Sequence, residues 1–388
     1  MPGWIAAISD YCSQVPPSIP AIPARPGFWS AARSPAGRPR PETIEVSGGY
    51  LERLPLSAVA SGLVDHAEIW SFAGRDGDSD RDRGLPDGTP DPANPALTRR
   101  VFRADGPAPY ASADAVDFIR TVGAPDVLCV WGLGVDAALL EACAGSLKIY
   151  NSIDAPALRI SDDLAARFDL FLTGADWQSR DIQARIPGAR TLVLPIGPAF
   201  ASGQTFFPTG ADKDRDVVYV ACAQPYKRHD ILFDAMARRP GTRGLLVVGY
   251  GHQTDEFRDR AAREGLDLEI VGPPGVPHAE VNRQINRARV GVVCGVDDGA
   301  PAILTEYQLA GLPVLANARL SCGLQFVTPE TGIAAHEGAD FAEALDRLLR
   351  DHARYDPRDV ALSRWGWQPS MAVLSEKLTE IRNARTVP

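Results

Sequence analysis

Two acidic residues in the stretch 288–317 have a spacing and a setting that suit the binding of a polyol. The stretch reads ARVGVVCGVDDGAPAILTEYQLAGLPVLAN, and Glu306 lies in its apolar, helix-like part. A buried carboxylate is costly unless a partner satisfies it. The adjacent hydroxyls of a ribose are fitting partners, because an ionised carboxylate accepts several hydrogen bonds. The alternative is that Glu306 pairs with a nearby arginine and that Asp298 only caps a turn.

The residues just before Glu306 predict a phosphate site. Residues 289–294 have the composition of a buried strand, Pro301 suits the first turn of a helix, and Gly311 suits its end. The first turn of such a helix offers backbone N–H groups and positive dipole character to an anion. The stretch therefore predicts a strand, a turn that carries Asp298, and a helix over about 301–310.

The rest of the chain must supply a scaffold for this stretch, and its pattern alternates between strands and helices. In the first half we predict strands at 43–47, 67–72, 100–104, 126–131, 147–151, 169–173 and 191–195. In the second half we predict strands at 216–222, 244–249, 268–271, 290–294, 313–317 and 332–336. Such alternation indicates parallel sheets covered on both faces. We therefore predict an α/β fold with two Rossmann-like doubly wound domains that face each other across a cleft.

Changes in composition predict the domain boundaries. The first domain is expected over 1–200, with an irregular extension at 1–40 and a mobile, solvated loop at 74–96. A calcium loop at 74–96 is disfavoured because Arg81 stands where an EF-hand needs glycine. A linker is expected at 201–215 and the second domain at 216–364. Residues 365–388 should form a helix that returns to the first domain, with Trp365 and Trp367 as packing anchors.

Bulk properties narrow the class of protein. The formal net charge of −9 argues against nucleic acid as a partner. No apolar run reaches about 20 residues, and the N-terminal segment has no signal-peptide pattern, so we expect a cytoplasmic enzyme. The six cysteines are expected to be buried, reduced thiols, and no metal-ligand spacing is present. A basic set suits either a solvated surface, which is favoured, or peripheral contact with the inner face of a membrane: Arg25, Arg33, Arg38, Arg40, Arg99 and Arg100.

The motif of Asp298, seven residues, Glu306 and then AGLPVLA resembles the acidic signature of retaining GT-B glycosyltransferases of the glycogen-synthase-like group 1 type. In that family the first acid is Glu. Three further segments of the second half resemble the family in the same order: VYVACAQPYKRHDILFDAM at 218–236, LLVVGYG at 245–251 and GLQFVTPETG at 323–332. The first half resembles it more faintly, through SGG at 47–49 and LPIG at 194–197.

The resemblance implies roles for particular residues. It implies three catalytic residues: Lys227 would neutralise the donor diphosphate, Asp298 would contact the transferred sugar and Glu306 would hold the ribose. It implies further donor contacts at Gly48, Gly49, Arg228, Gly249, Gly251, Gly299, Ala300 and Pro301. On the acceptor side we name Trp131, where the family often has a histidine, and Asp154. An arginine that the family often places five residues before the lysine is replaced by Cys222.

The function that the resemblance implies is metal-independent transfer of a sugar with retention of anomeric configuration. The donor is expected to be a nucleotide sugar, with UDP ahead of GDP, and no cofactor is expected. The acceptor is a glycan, a lipid-linked saccharide or a small molecule. Alternatives are a nucleotide-sugar epimerase or another non-transferring enzyme on the same scaffold, and a non-catalytic nucleotide-sugar-binding protein. Binding of NAD at Gly249 and Gly251 is disfavoured, because the third glycine of that fingerprint is missing.

Overall fold

A computed structural model describes residues 3–13, 46, 49–74, 88–91 and 94–386. The chain divides into two compact units. The first consists of Met1–Leu194 with Met371–Pro388, and the second of Pro195–Ser370. The first break in the chain therefore lies at 194/195, a few residues before the predicted linker.

The first unit is built on an eight-stranded sheet. Its strands are β1 Trp4–Ser13, β2 His66–Ala73, β3 Thr89–Pro90, β4 Leu97–Arg103, β5 Val127–Trp131, β6 Leu147–Asn151, β7 Leu170–Thr173 and β8 Thr191–Val193. Their order across the sheet is β3-β4-β2-β1-β5-β6-β7-β8. All neighbours are parallel except β3, which runs antiparallel to β4. The chain order reverses between β1 and β5, so the carboxyl ends of these two strands form the switch point of the sheet.

Helices cover this sheet, and short polar side chains begin several of them. They are α1 Tyr50–Ala60, α2 Ala113–Val122, α3 Ala137–Ala142, α4 Asp162–Ala165 and α5 Asp176–Arg185. The side chains of Ser112, Asp136 and Ser161 each accept a hydrogen bond from a backbone N–H in the first turn of α2, α3 and α4. The core beneath includes Trp70, whose ring lies 5.1 Å from that of Phe102.

The prediction of an irregular extension over 1–40 is wrong at its beginning, because β1 is the central strand of the sheet. Ile5 to Ile8 are completely buried and pair with both β2 and β5. A strand buried on both faces lacks the polar alternation that marks a strand in sequence, and a proline-rich segment follows this one closely. The predicted strand at 43–47 lies outside the described residues except for Val46, as does much of the predicted loop at 74–96.

Two of the basic residues considered for membrane contact form ion pairs within the first unit. Arg100 is buried, and its guanidinium lies 2.7 Å from the carboxylate of Glu68. The neighbouring Arg99 lies 2.7 Å from Glu52 and 3.2 Å from Asp91. Arg100 is therefore neither a solvated nor a membrane-facing residue. The other four arginines of that set lie outside the described residues.

The second unit contains a six-stranded, fully parallel sheet. Its strands are β9 Val217–Val220, β10 Arg243–Val247, β11 Asp267–Val271, β12 Val290–Val293, β13 Val314–Asn317 and β14 Gly332–Ala335. Their order is β11-β10-β9-β12-β13-β14, the third, second, first, fourth, fifth and sixth of the unit. This is the strand order of a dinucleotide-binding Rossmann sheet. The prediction of two Rossmann-like sheets is confirmed.

Further helices accompany the strands of the second half of the chain. They are α6 Ile196–Ala199, α7 His229–Arg238, α8 Thr254–Glu264, α9 His278–Asn286, α10 Ile303–Leu309, α11 Ala339–Asp351, α12 Pro357–Arg364 and α13 Trp367–Thr386. Trp365 packs edge-on against Phe326, with ring centroids 5.3 Å apart. This contact lies within the second unit, and the role of Trp365 as a packing anchor to the first unit stays a prediction.

The segment predicted as a linker at 201–215 is attached to α9. The side chain of Asn282 accepts a hydrogen bond from the Phe207 N–H at 3.2 Å, and Asn286 accepts one from the Thr209 N–H at 2.8 Å. The Lys213 ammonium donates to the Asn286 carbonyl at 2.8 Å. Two buried asparagine side chains thus satisfy an irregular backbone that has no strand or helix to pair with.

Candidate functional site

The carboxyl ends of β9 and β12 lie side by side at the switch point of the second sheet. From β9 the chain passes through α7 to β10 on one side, and from β12 it passes through α10 to β13 on the other. Loops that leave neighbouring strands in opposite directions open a crevice between them, which is where ligands bind in this class of sheet. The loop after β9 carries Lys227, and the loop after β12 carries Asp298.

Tyr307 holds this crevice in shape, although no pattern in the sequence marks it as a site residue. Its hydroxyl accepts a hydrogen bond from the Val220 N–H at 2.8 Å and lies 3.1 Å from the Val218 carbonyl oxygen. The residue is fully buried, and burial raises the pKa of its hydroxyl well above the usual value. Gly291 makes room for the ring, because a Cβ there would lie 2.3 Å from it. β12 pairs with β9 only at Val290 and Gly291. Beyond that point the Tyr307 hydroxyl accepts the hydrogen bond of the Val220 N–H in β9.

Lys227 and Asp298 form an ion pair across the crevice. Both side chains are largely buried, with 15% and 11% of their surface exposed. The Lys227 ammonium also lies 4.9 Å from the centroid of the Tyr226 ring. Its backbone carbonyl accepts a hydrogen bond from the Tyr219 hydroxyl at 2.8 Å. The lysine is therefore fixed at both its backbone and its charged end, in a place where its charge is weakly screened by water.

Glu306 is buried as predicted, with 7% of its surface exposed, and its helix is anchored around it. The preceding Thr305 donates to the Pro198 carbonyl at 2.8 Å, and Gln308 donates to the Phe326 carbonyl at 2.6 Å. Together with the Tyr307 hydroxyl, which contacts β9, these two residues set the rotation of α10 about its axis and so fix the backbone at Glu306.

The loop that joins Asp298 to α10 contains three predicted donor contacts, Gly299, Ala300 and Pro301. The helix begins at Ile303, two residues later than predicted. Gly323, with φ of +102°, packs directly on this loop, because a Cβ there would lie 3.4 Å from the Ala300 Cα. The loop is therefore closely packed on the side that faces Gly323.

Arg228 follows Lys227 in a left-handed backbone conformation with φ of 51°. Among the described residues it is the only non-glycine residue with a positive φ. Its guanidinium lies 2.8 Å from Asp230 and 2.9 Å from Glu337, and hydrogen bonding to Asp230 raises its pKa. Strain of this kind persists where surrounding contacts hold a functional residue in place. The structure thus shows that Arg228 has two carboxylate partners. Its contact with the donor diphosphate stays a prediction.

The glycine turn after β10 is joined to the loop after β9. Gly251 has φ of 123° and pairs with Ala223, and a Cβ at Gly251 would lie 2.2 Å from the Ala223 carbonyl oxygen. The Ala223 N–H donates to the Tyr250 carbonyl at 2.7 Å. Gly249 lies against Gly275, whose added Cβ would be 3.3 Å from the Gly249 Cα. Because Gly251 has no side chain, the backbones of the two loops at the crevice can approach each other closely.

His229 is a second residue that sequence reasoning missed. It begins α7 directly after Lys227 and Arg228, and its ring lies between those of Tyr219, at 4.8 Å, and Phe257, at 4.4 Å. Neither ring nitrogen has a hydrogen-bond partner among the described residues. Burial, with a smaller contribution from the Lys227 charge, lowers the pKa of His229 to about 4, so the imidazole is neutral at pH 7.

In the first unit, two of the predicted residues lie at or near the carboxyl ends of β5 and β6. Gly49 precedes α1, and Gly48 lies outside the described residues. Trp131 ends β5, is buried, and meets the ring of Tyr50 edge-on at 6.2 Å. Asp154 follows β6 and accepts a hydrogen bond from Arg159 at 2.6 Å. The acceptor roles of Trp131 and Asp154 stay predictions.

The described part of the chain has three further properties. No group of three or more His, Cys, Asp or Glu side chains there is arranged to hold a metal ion. None of the helices described is both long and apolar enough to cross a membrane. The cysteines whose side chains are described are all buried free thiols: Cys129, Cys143, Cys222, Cys294 and Cys322.

Comparison with known proteins identifies the second unit. Residues 203–360 match the family model described as "Glycosyl transferases group 1". This unit is similar to the group 1 glycosyltransferases over those residues. A D-inositol 3-phosphate glycosyltransferase from Mycobacterium bovis (strain BCG / Pasteur 1173P2) is 28% identical to the chain over 218 residues. That match spans 54% of this chain and 44% of the relative, so less than half of the relative's length is represented.

Solved structures extend the likeness in fold over nearly the whole chain. Sucrose-phosphate synthase from Thermosynechococcus elongatus has a TM-score of 0.66 at 16% identity and covers 98% of this chain and 100% of its own. HepE from Anabaena, in complex with UDP and glucose, has a TM-score of 0.64 at 15% identity, with coverage of 97% and 100%. Both units therefore have the GT-B type of fold, and the predicted resemblance of the second unit to the group 1 family agrees with the family model that matches it.

Proposed function

We propose that the chain transfers a glycosyl group from a nucleotide-diphosphate sugar to an acceptor. The observation that carries this proposal is the Lys227–Asp298 pair at the switch point of a group 1 glycosyltransferase unit, one loop before the buried Glu306. A cation, a sugar-binding acid and a ribose-binding acid are the groups that such a donor needs. HepE, which shares the fold, was solved with UDP and glucose and with UDP-glucose, and this supports a donor of the same class.

The proposed chemistry assigns a task to each of the three side chains. Breaking the bond between the anomeric carbon and the phosphate oxygen leaves negative charge on the diphosphate. Lys227 stabilises that charge where it develops, and its fixed ammonium needs little reorganisation at that moment. Asp298 accepts hydrogen bonds from hydroxyls of the transferred sugar and orients Lys227. Glu306 accepts hydrogen bonds from the ribose and so positions the donor.

Two finer features of the reaction are proposed from the resemblance to the family. Retention of configuration predicts that an α-configured donor gives an α-linked product, which the anomeric proton coupling in NMR reports directly. Metal independence predicts an unchanged rate after dialysis against EDTA. An inverted product would move the enzyme to another mechanistic class, and loss of activity restored by Mg²⁺ or Mn²⁺ would assign the diphosphate charge to a metal.

A thermal-shift screen can identify the donor. A ligand that binds only the folded chain raises the apparent stability by a free energy that grows with its concentration over Kd. We expect a UDP-sugar to give the largest shift and a GDP-sugar to be the next candidate. A saccharide, a lipid-linked saccharide or a small molecule is then sought as acceptor by release of the nucleoside diphosphate. If the nucleotide sugar binds without being hydrolysed, and no acceptor leads to transfer, a non-catalytic binding protein would be favoured.

The Glu306→Gln variant tests the ribose role. It keeps the shape of the side chain and removes its charge, so the weakened hydrogen bonds should raise the Kd for the nucleoside diphosphate about tenfold or more. Glu343→Gln, at an exposed position of α11, is the control and should bind as the wild type does. Equal binding and full activity of Glu306→Gln would refute the role of Glu306 in holding the donor.

A further inference from the structure

Two tyrosine rings are exposed beside the Lys227–Asp298 pair. Tyr226 is 41% exposed and Tyr250 is 64% exposed, although most large apolar and aromatic side chains of the second unit are buried. Tyr226 directly precedes Lys227 in the loop after β9, and Tyr250 stands in the glycine turn after β10. Neither ring contributes to the core, and nothing proposed so far gives either a task.

The backbone of Tyr250 is fixed although its ring is exposed. Its carbonyl oxygen accepts a hydrogen bond from the Ala223 N–H at 2.7 Å, and the following Gly251 pairs with Ala223. The His252 N–H donates to the Ala223 carbonyl at 3.1 Å. An aromatic ring on such a turn offers a large apolar face with only two side-chain torsions to order, so a planar ligand loses little entropy in using it.

The rings lie in a row with the ion pair. The strand order β10-β9-β12 places the loops that carry Tyr250, then Tyr226 with Lys227, then Asp298 along one edge of the sheet. The Cys222 thiol lies 3.3 Å from the Tyr226 hydroxyl. A tyrosine hydroxyl is neutral at pH 7, so no negative charge arises next to the place proposed for the diphosphate.

We propose that the Tyr250 ring stacks on the nucleobase of the donor, with Tyr226 filling the space between that base and Lys227. This inference rests on the proposed function. A nucleotide sugar has its base at one end and its sugar at the other, and the row from Tyr250 through Lys227 to Asp298 has an aromatic group, a cation and an acid in the matching order. Stacking is available to every base, so Tyr250 contributes affinity for a nucleoside and leaves the choice of base to other groups.

Calorimetric titration of the full chain with UDP, GDP and inorganic pyrophosphate tests this placement. Tyr250→Ala should raise the Kd of the nucleoside diphosphate about tenfold and change the Kd of pyrophosphate less than twofold. Tyr250→Phe should bind like the wild type, because it keeps the ring. Phe207→Ala is the matched control, since Phe207 is 41% exposed in the same unit and only its backbone is bonded to α9.

The outcomes separate this inference from the function on which it rests. Equal weakening of pyrophosphate and nucleoside diphosphate would place Tyr250 at the phosphates and overturn the stacking contact. A Phe variant as weak as the Ala variant would assign the effect to the hydroxyl and overturn it as well. Unchanged binding by Tyr250→Ala, with a wild type that binds UDP or GDP, would overturn the inference alone. A wild type that binds neither nucleotide would overturn the proposed function too.

Discussion

Protonation of His229 should destabilise the unit that carries Lys227, and the expected size follows from its surroundings. In the unfolded chain a histidine has a pKa of about 6.5, whereas burial between Tyr219 and Phe257 lowers the pKa of His229 to about 4. The Lys227 charge acts in the same direction, and Asp230 acts against it. Between these two pKa values the unfolded state binds more protons than the folded state does. Stability is therefore greatest above pH 6.5 and falls as the pH is lowered towards 4.

Integrating the linkage relation from pH 7.5 to pH 5 gives a loss of about 2 kcal/mol from this one group. His229→Phe removes the titration and keeps an aromatic ring between the two neighbours. Any cost of fitting the larger ring is present at both pH values and cancels in the difference. The variant should therefore lose about 2 kcal/mol less than the wild type does over the same interval.

Urea unfolding at pH 7.5 and pH 5, followed by fluorescence and by the exchange of α7 amide protons, measures this difference. His336→Gln, at an exposed position in the same unit, should keep the pH dependence of the wild type. If His229→Phe and the wild type lose the same free energy between the two pH values, His229 is solvated or hydrogen-bonded in solution. The stacked, unpartnered environment described above would then be refuted.

Three further changes have expected outcomes. Lys227→Ala should lower the transfer rate about a hundredfold with the fold retained, as measured by nucleotide release, and an unchanged rate would move the phosphate role to Arg228. Tyr307→Phe leaves the Val220 N–H without its partner and should cost about 1–3 kcal/mol in urea unfolding; no loss would mean that water replaces the hydroxyl. Gly251→Ala places a side chain at a positive φ and against the Ala223 carbonyl, so it should lower the free energy of unfolding in urea by at least about 1–3 kcal/mol. Wild-type stability would contradict the close approach to Ala223.

Much of the second unit could be predicted from local pattern. Its strands alternate with amphipathic helices, and the strands predicted at 290–294 and 313–317 agree with the observed Val290–Val293 and Val314–Asn317 to within one residue. The first unit was harder because its central strand β1 begins with the apolar run Ile5–Ile8 and stands before a proline-rich segment. A pattern based on alternation detects a half-buried strand and misses one that is buried on both faces.

The acidic residues of the site could be predicted from the sequence, whereas the residues that pack around them could not. Glu306 was found because a charge in an apolar helix is conspicuous. Tyr307 and His229 carry no such signal: a tyrosine or histidine among apolar residues is usual in any core. Their importance appears only when Val220, Gly291 and Phe257 are seen to surround them.

By itself the sequence determined the α/β alternation, the Asp298–Glu306 spacing and the cation at Lys227, because each is a matter of residue type over a short stretch. Only the tertiary structure decided that Lys227 and Asp298, 71 positions apart, meet as an ion pair. That contact depends on β9 and β12 being neighbours, although β10 and β11 lie between them in the chain. Strand order is set by the packing of the whole sheet, and no local window of residues contains it.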